Sequence, residues 1–286
     1  MFLPYKISDK TVDILTSYSY EEEYKKISEA VLKQRSKEEL RKVLIDGSKL
    51  QEDWFPTKNL HFDVFLSHSH GDEDKAKKLA AYLKHCYGLT TFIDSCYWNY
   101  CDVLLEQLDN QLWEPKDGFS KYNYNKRNYS TTIIHTMLSM SLIKMMSKCE
   151  CFILLDSSNV HINDGYKSKT LSAWIYQEAE MSKVIDRKIP ERWLQNIVQH
   201  RGGGILETRY FCSDSVATES QSVTFDLDTS KMHLISDALL SKMNGWKKNR
   251  AMDIMHKDYI ANQYNERRLL ESSQETRPTR RLIPRR

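Results

Sequence analysis

Phe62-Asp-Val-Phe-Leu-Ser-His-Ser-His-Gly-Asp72 is the stretch on which the reading of this chain turns. Its first five residues are short, aromatic and β-branched, and they run straight into a polar segment, as a buried strand runs into a loop. Lys75 to Cys86 then carries Ala76, Leu79, Ala80 and Leu83 at i, i+3, i+4 and i+7, the stripe of an amphipathic helix, and Gly88 is placed to end it. Leu89-Thr-Thr-Phe-Ile-Asp94 predicts a second strand. Together these form a β-α-β unit of about 33 residues, and its near-continuous apolar strands argue for a parallel sheet covered on both faces.

Downstream, Cys149-Glu-Cys-Phe-Ile-Leu-Leu155 predicts a third buried strand, preceded by a helix over Thr131–Met146. A helix follows from Ser172 to about Ile185. Val223-Thr-Phe-Asp-Leu-Asp228 reads as a last strand, followed by a helix over Met232–Trp246, and Leu206–Phe211 is the best strand candidate between them. Glu114–Ser130 is a polar, Asn- and Tyr-rich insertion that reads as a long loop. The predicted fold is therefore α/β: a doubly wound, open, mostly parallel sheet over residues 58–247. Residues 1–57 read as a helical N-terminal extension, in which Ser36-Lys-Glu-Glu39 has the pattern of a capping box. Residues 248–286 read as a charged helix and then a disordered basic tail.

The chain has 286 residues, 40% hydrophobic and 28% charged, room for one large domain with extensions. Its net charge of +3 comes from the tail: five arginines and no acid lie in 277–286, and the other residues carry −2. That removes the main support for nucleic-acid binding, which would otherwise predict salt-sensitive binding lost with the tail. No run is apolar enough for a membrane span, and the first residues lack an export signal, so the expectation is a cytoplasmic protein. The six cysteines contain no C-x-x-C pair and read as reduced thiols. Neither a P-loop nor a G-x-G-x-x-G cradle is present.

The Phe62–His68 strand, Thr91-Phe-Ile-Asp94, Phe152-Ile-Leu-Leu155 with Ser157-Ser158, and Ser172-Ala-Trp-Ile-Tyr-Gln-Glu178 occur in the order of four motifs of the TIR (Toll/interleukin-1 receptor) domain family, which this chain resembles over roughly 190 residues. The likeness is nearest to bacterial stand-alone and defence-system members. It implies a TIR/flavodoxin-like fold and cleavage of the nicotinamide–ribose bond of NAD+, with NAD+ as substrate and no cofactor. It gives the catalytic role to Glu178 and places Trp174 one turn earlier on the same helix face. It also implies TIR–TIR self-association, activation by assembly or by a separate sensor or effector protein, and a role in anti-phage defence by NAD+ depletion. The loop after Asp94 lacks the Gly or Pro common in the family, so its docking partners do not carry over.

Other residues are candidates for the same cleft. Ser67 and His68 lie where the first strand meets the crevice. Asp94 ends the second strand and shapes the loop after it. Tyr97 and Trp98 in that loop offer rings for stacking on a base or nicotinamide. Ser172 opens the Glu178 helix. His68 and His70 form an H-x-H pair without a third ligand at useful spacing, so no metal is expected. Against the enzyme stand two plainer readings: Glu178 as a solvated carboxylate paired with Lys183, and the whole domain as a scaffold that acts by association alone. Hydrolysis and cyclisation to a cyclic ADP-ribose-type signal break the same bond, and the sequence does not choose between them.

Overall fold

The structure is a computed structural model and describes residues 3–23, 25–42, 44–98, 101–113, 124–162, 169–186, 192 and 223–275. The side chains of 111–113, 124, 126 and 264–275 fall outside that description. At its centre is a five-stranded, all-parallel sheet in the order β3-β2-β4-β1-β7. The strands are β1 (Leu3–Ser8), β2 (Val64–Ser67), β3 (Thr91–Phe92), β4 (Cys151–Asp156) and β7 (His233–Leu234). All four residues of β2 and the first five of β4 are buried, as the apolar runs require of strands covered on both sides.

Helix α4 (Glu73–Tyr82) continues through a wide π turn to Tyr87 and stops at Gly88, whose φ of +69° is the left-handed geometry a glycine adopts without steric cost. It returns the chain to β3, beside β2, so the predicted β-α-β unit is present. From β3 the chain passes through α5 (Asp94–Tyr97), α6 (Cys101–Trp113) and α7 (Tyr124–Lys148) before β4. Helix α7 begins inside the predicted loop 114–130, and 114–123 lie outside the described residues.

The N-terminal region departs most from expectation. It does hold helices, α1 (Asp9–Ile14), α2 (Glu29–Leu40) and α3 (Gly47–Trp54), but it begins with β1, an interior strand paired along six residues with β4. Leu3, Tyr5 and Ile7 are fully buried. Pro4 is accommodated because the Leu3 amide donates to Glu150 O, which turns residue 4 towards the β7 side, where pairing begins only at Tyr5. The capping-box reading fails too. Ser36 lies inside α2, its hydroxyl donating to Leu32 O (2.9 Å) and accepting from Trp54 Nε1 (2.7 Å). Glu39 instead accepts from Lys42, Lys49 and the Asp46 amide.

At the other end, Phe225–Asp226 (β6) pairs antiparallel with Lys169–Thr170 (β5), outside the main sheet. The last strand of the sheet is β7, which lies within the predicted helix 232–246. Only α9 (Asp237–Met243) remains helical there. The Leu206–Phe211 candidate falls outside the described residues. Helix α10 (Lys248–Glu275) buries Ala251, Met252, Met255 and Tyr259, and Tyr5 Oη donates to Met255 O (2.8 Å) across that contact. The five described cysteines are free thiols. No helix among the described residues is long and apolar enough to cross a membrane.

Candidate active site

Because the strands are parallel, their carboxyl ends share one edge of the sheet, and the loops that follow them meet there. Ser67 closes β2. The turn 68–72 after it is tied to the loop after β4 by Asp72, a buried carboxylate that accepts from Ser157 Oγ (2.5 Å) and Asn159 Nδ2 (2.8 Å). A side chain at Gly71 would bring its Cβ within 3.2 Å of Asn159 Nδ2, so the clasp leaves that position little room. After β3 the chain turns at once into α5. Helix α8 (Ala173–Val184) enters from the far side, capped by Ser172, whose hydroxyl accepts from the Ile175 amide (3.2 Å).

These elements enclose a cavity of about 290 Å³. Of the residues proposed from sequence, Glu178, Trp174, Ser67, His68, Trp98, Asp94 and Ser172 line it, and Tyr97 does not. Cys101 and Asp102 of α6 and Leu138 and Leu142 of α7 add walls that sequence reading did not supply. The stripe Leu104, Leu105 and Leu108 was the available signal for α6.

Glu178 is 5% exposed. Burial, followed by the Asp94 charge on the same cavity, pushes its carboxyl up to about 8, against a smaller opposing effect from the Ser67 hydroxyl. Ser67 is 2% exposed, and its Oγ meets no partner of hydrogen-bonding geometry among the described residues. Ser95 Oγ, on the same cavity, is in the same state. Buried hydroxyls left unpaired cost free energy, so a site that keeps them suits a ligand with donors and acceptors of its own. The solvated alternative does not hold: Lys183 pairs with Glu180 (2.6 Å) and Asp228 (3.2 Å), and Glu178 is enclosed.

Trp174 is partly buried and meets His135 edge-on, ring centroids 5.7 Å apart, leaving part of the indole on the cavity. The reading of Tyr97 and Trp98 as loop rings needs correction. Asp94 starts α5 instead of ending a strand, and both aromatics are locked into the core. Trp98 is 3% exposed, donates from Nε1 to Pro56 O (3.1 Å) and packs edge-on against Phe55 and Phe92. Tyr97 stacks on Phe92, and its Oη accepts from the Glu23 amide (2.9 Å). Trp98 thus forms fixed wall. His68 and His70 reach the cavity, and no group of three or more metal-ligating side chains occurs among the described residues.

Comparison with protein-family models, with curated proteins and with solved structures finds no match for this chain. What fold and cleft define is a class: an α/β domain of parallel strands with a carboxyl-lined cavity at their carboxyl ends.

Proposed function

We propose that this chain is a TIR-type NAD+ nucleosidase in which Glu178 acts on the nicotinamide-bearing ribose. The observation that carries the reading is the Glu178 carboxyl itself, enclosed on the wall of a cavity beside a second carboxylate and the buried Ser67 hydroxyl. The strand order adds support. Counted from β2, β2, β3 and β4 take the places of the first three strands in a flavodoxin-like 2-1-3-4-5 sheet, and β1, from the start of the chain, fills the fourth place.

The chemistry asks little of the protein beyond one well-placed charge. The nicotinamide ring of NAD+ is a cation, and when its bond to ribose C1′ breaks, the electron pair leaves with the ring nitrogen and the ring becomes neutral. No general acid is needed. The ribose is left as an oxocarbenium-like centre, and a carboxylate that holds the ribose hydroxyls stabilises the charge growing there. Burial and the Asp94 charge favour the protonated form of Glu178, and a cationic ring beside Glu178 and Asp94 favours the ionised form. Water adding to C1′ yields ADP-ribose and one proton, whereas an adenine or ribose atom of the same molecule would yield a cyclic product. The biological reading that goes with this chemistry is a defence effector that depletes NAD+, active when assembled with further copies or a sensor protein.

The test is chromatography of NAD+ incubated with concentrated protein, wild type beside Glu178→Gln. Nicotinamide release by wild type alone supports the reading, and the companion peak, ADP-ribose or a cyclic isomer, identifies the acceptor. Intact NAD+ with crowded protein would return the chain to the scaffold reading.

A further inference from the structure

The cleft does not end at the Glu178 cavity. A second depression of about 300 Å³, walled by Asn159, His161, Ile162 and Leu171, meets it at Ser172, which lines both, and at Ser69, which stands between His68 and His70. Each space alone is at the lower limit of ligand-sized pockets, about 300–1,000 Å³, whereas the two joined fall within it.

The charge along this double cleft is uneven. Glu178, Asp94 and Asp102 line the first cavity, and no lysine or arginine does so among the described residues. Among the described residues its basic side chains are His68 and His70, on the turn between the two spaces. The basic group of the second depression, His161, is already engaged, its Nε2 lying 2.5 Å from Asp156 Oδ1. The acids near the histidine turn are engaged too: Asp72 by Ser157 and Asn159, and Glu73 by Lys77 (2.6 Å). An imidazole offers an N–H in either neutral tautomer and a full positive charge when an anion beside it favours the proton.

Resting on the nucleosidase reading, we infer that the double cleft recognises a whole dinucleotide within one chain: the nicotinamide ribose beside Glu178, the diphosphate on His68 and His70 at the junction, and the second nucleoside in the Ile162–Leu171 depression. The acidic first cavity repels a phosphate, which leaves the junction as the place for it. The second depression sets Ile162 and Leu171, the latter 58% exposed at its rim, beside Asn159 and His161, which suits the face and the polar edge of a base.

Three substrates of increasing length separate the parts: nicotinamide riboside, nicotinamide mononucleotide and NAD+. In the full-length protein, His70→Gln lowers kcat/KM for NAD+ and for the mononucleotide about tenfold relative to the riboside, mainly through KM. The double variant Ile162→Ala/Leu171→Ala lowers NAD+ severalfold relative to both shorter substrates. Equal losses on all three substrates, or none, overturn the inference. Should none be cleaved, the nucleosidase reading fails first, and calorimetric affinities of the same three molecules decide the inference by the same ratios. Ligands that bind equally tightly with and without phosphate would end it.

Discussion

Glu178 and Glu150 are the same side chain at opposite ends of the sheet, and they settle on opposite sides of neutrality. Glu150 stands just before β4, away from the cleft. Burial alone would raise its carboxyl, but His256 and a two-pronged contact from Arg192 outweigh that and hold it at about 2. Arg192 is shared with Asp253 of α10, so this carboxylate ties sheet to helix. Glu178 is desolvated as well, yet it faces a second carboxylate with only the Ser67 hydroxyl to oppose the rise, and goes to about 8. Burial therefore does not define a functional acid. What differs is whether the fold supplies counter-charge, and in the proposed reading the cationic substrate supplies it at Glu178.

The largest effect expected from breaking this contrast is on turnover. Glu178→Gln removes the charge and keeps the shape, so nicotinamide release falls at least about a thousandfold while the fold persists. Removing the other acid acts on stability. Glu150→Gln leaves Arg192 and His256 without their main partner and lowers unfolding free energy by about 2 kcal/mol in urea titration, a value reduced for its partial exposure. Folded Glu150→Gln protein keeps its activity per molecule.

The two carboxyls also give stability opposite slopes with pH. Folded Glu178 retains a proton that the unfolded chain loses above its ordinary value of 4.5, so its contribution falls as pH rises from about 4.5 to 8. Folded Glu150 is ionised where the unfolded chain is not, so its contribution is present above 4.5 and is lost as pH falls towards about 2. Chemical unfolding across that range, with each Gln variant beside wild type, separates the slopes. Log kcat/KM for NAD+ is expected to climb with pH and level off above about 8. Asp94→Asn moves that inflection down by about one pH unit, because it removes the neighbouring negative charge. The smallest effect lies far from both sites. Ser36→Ala deprives the buried Trp54 Nε1 of its acceptor and costs about 1 kcal/mol in the same titration.

The cleft was more legible than the sheet around it. The β2-α4-β3 unit, β4 and the capped helix α8 each have local signals: continuous apolar runs, a stripe ended by Gly88, a serine before a helix. The i, i+4 spacing puts Trp174 and Glu178 on one helix face, and the family resemblance is what singled the pair out as a site. β1 was missed although Leu3, Tyr5 and Ile7 alternate with Pro4, Lys6 and Ser8, because a proline and a lysine argue against an interior strand. Pro4 is tolerated because pairing with β7 begins only at Tyr5, and Lys6 because its Nζ donates to Thr229 Oγ1 and faces Asp156, none of which a local window contains. β7 has two residues and no pattern to read. The Asp72–Ser157–Asn159 clasp joins residues more than eighty positions apart, and Trp98 became wall through contacts with Pro56 and Phe55. Such contacts leave no periodic trace.

In the proposed reading the acid without counter-charge does the chemistry and the acid with it holds the fold. The most direct test is NAD+ cleavage by wild type, Glu178→Gln and Glu150→Gln at equal concentrations of folded protein, followed by nicotinamide release. The account predicts release by wild type and Glu150→Gln and none by Glu178→Gln. Release by Glu178→Gln at the wild-type rate would contradict it.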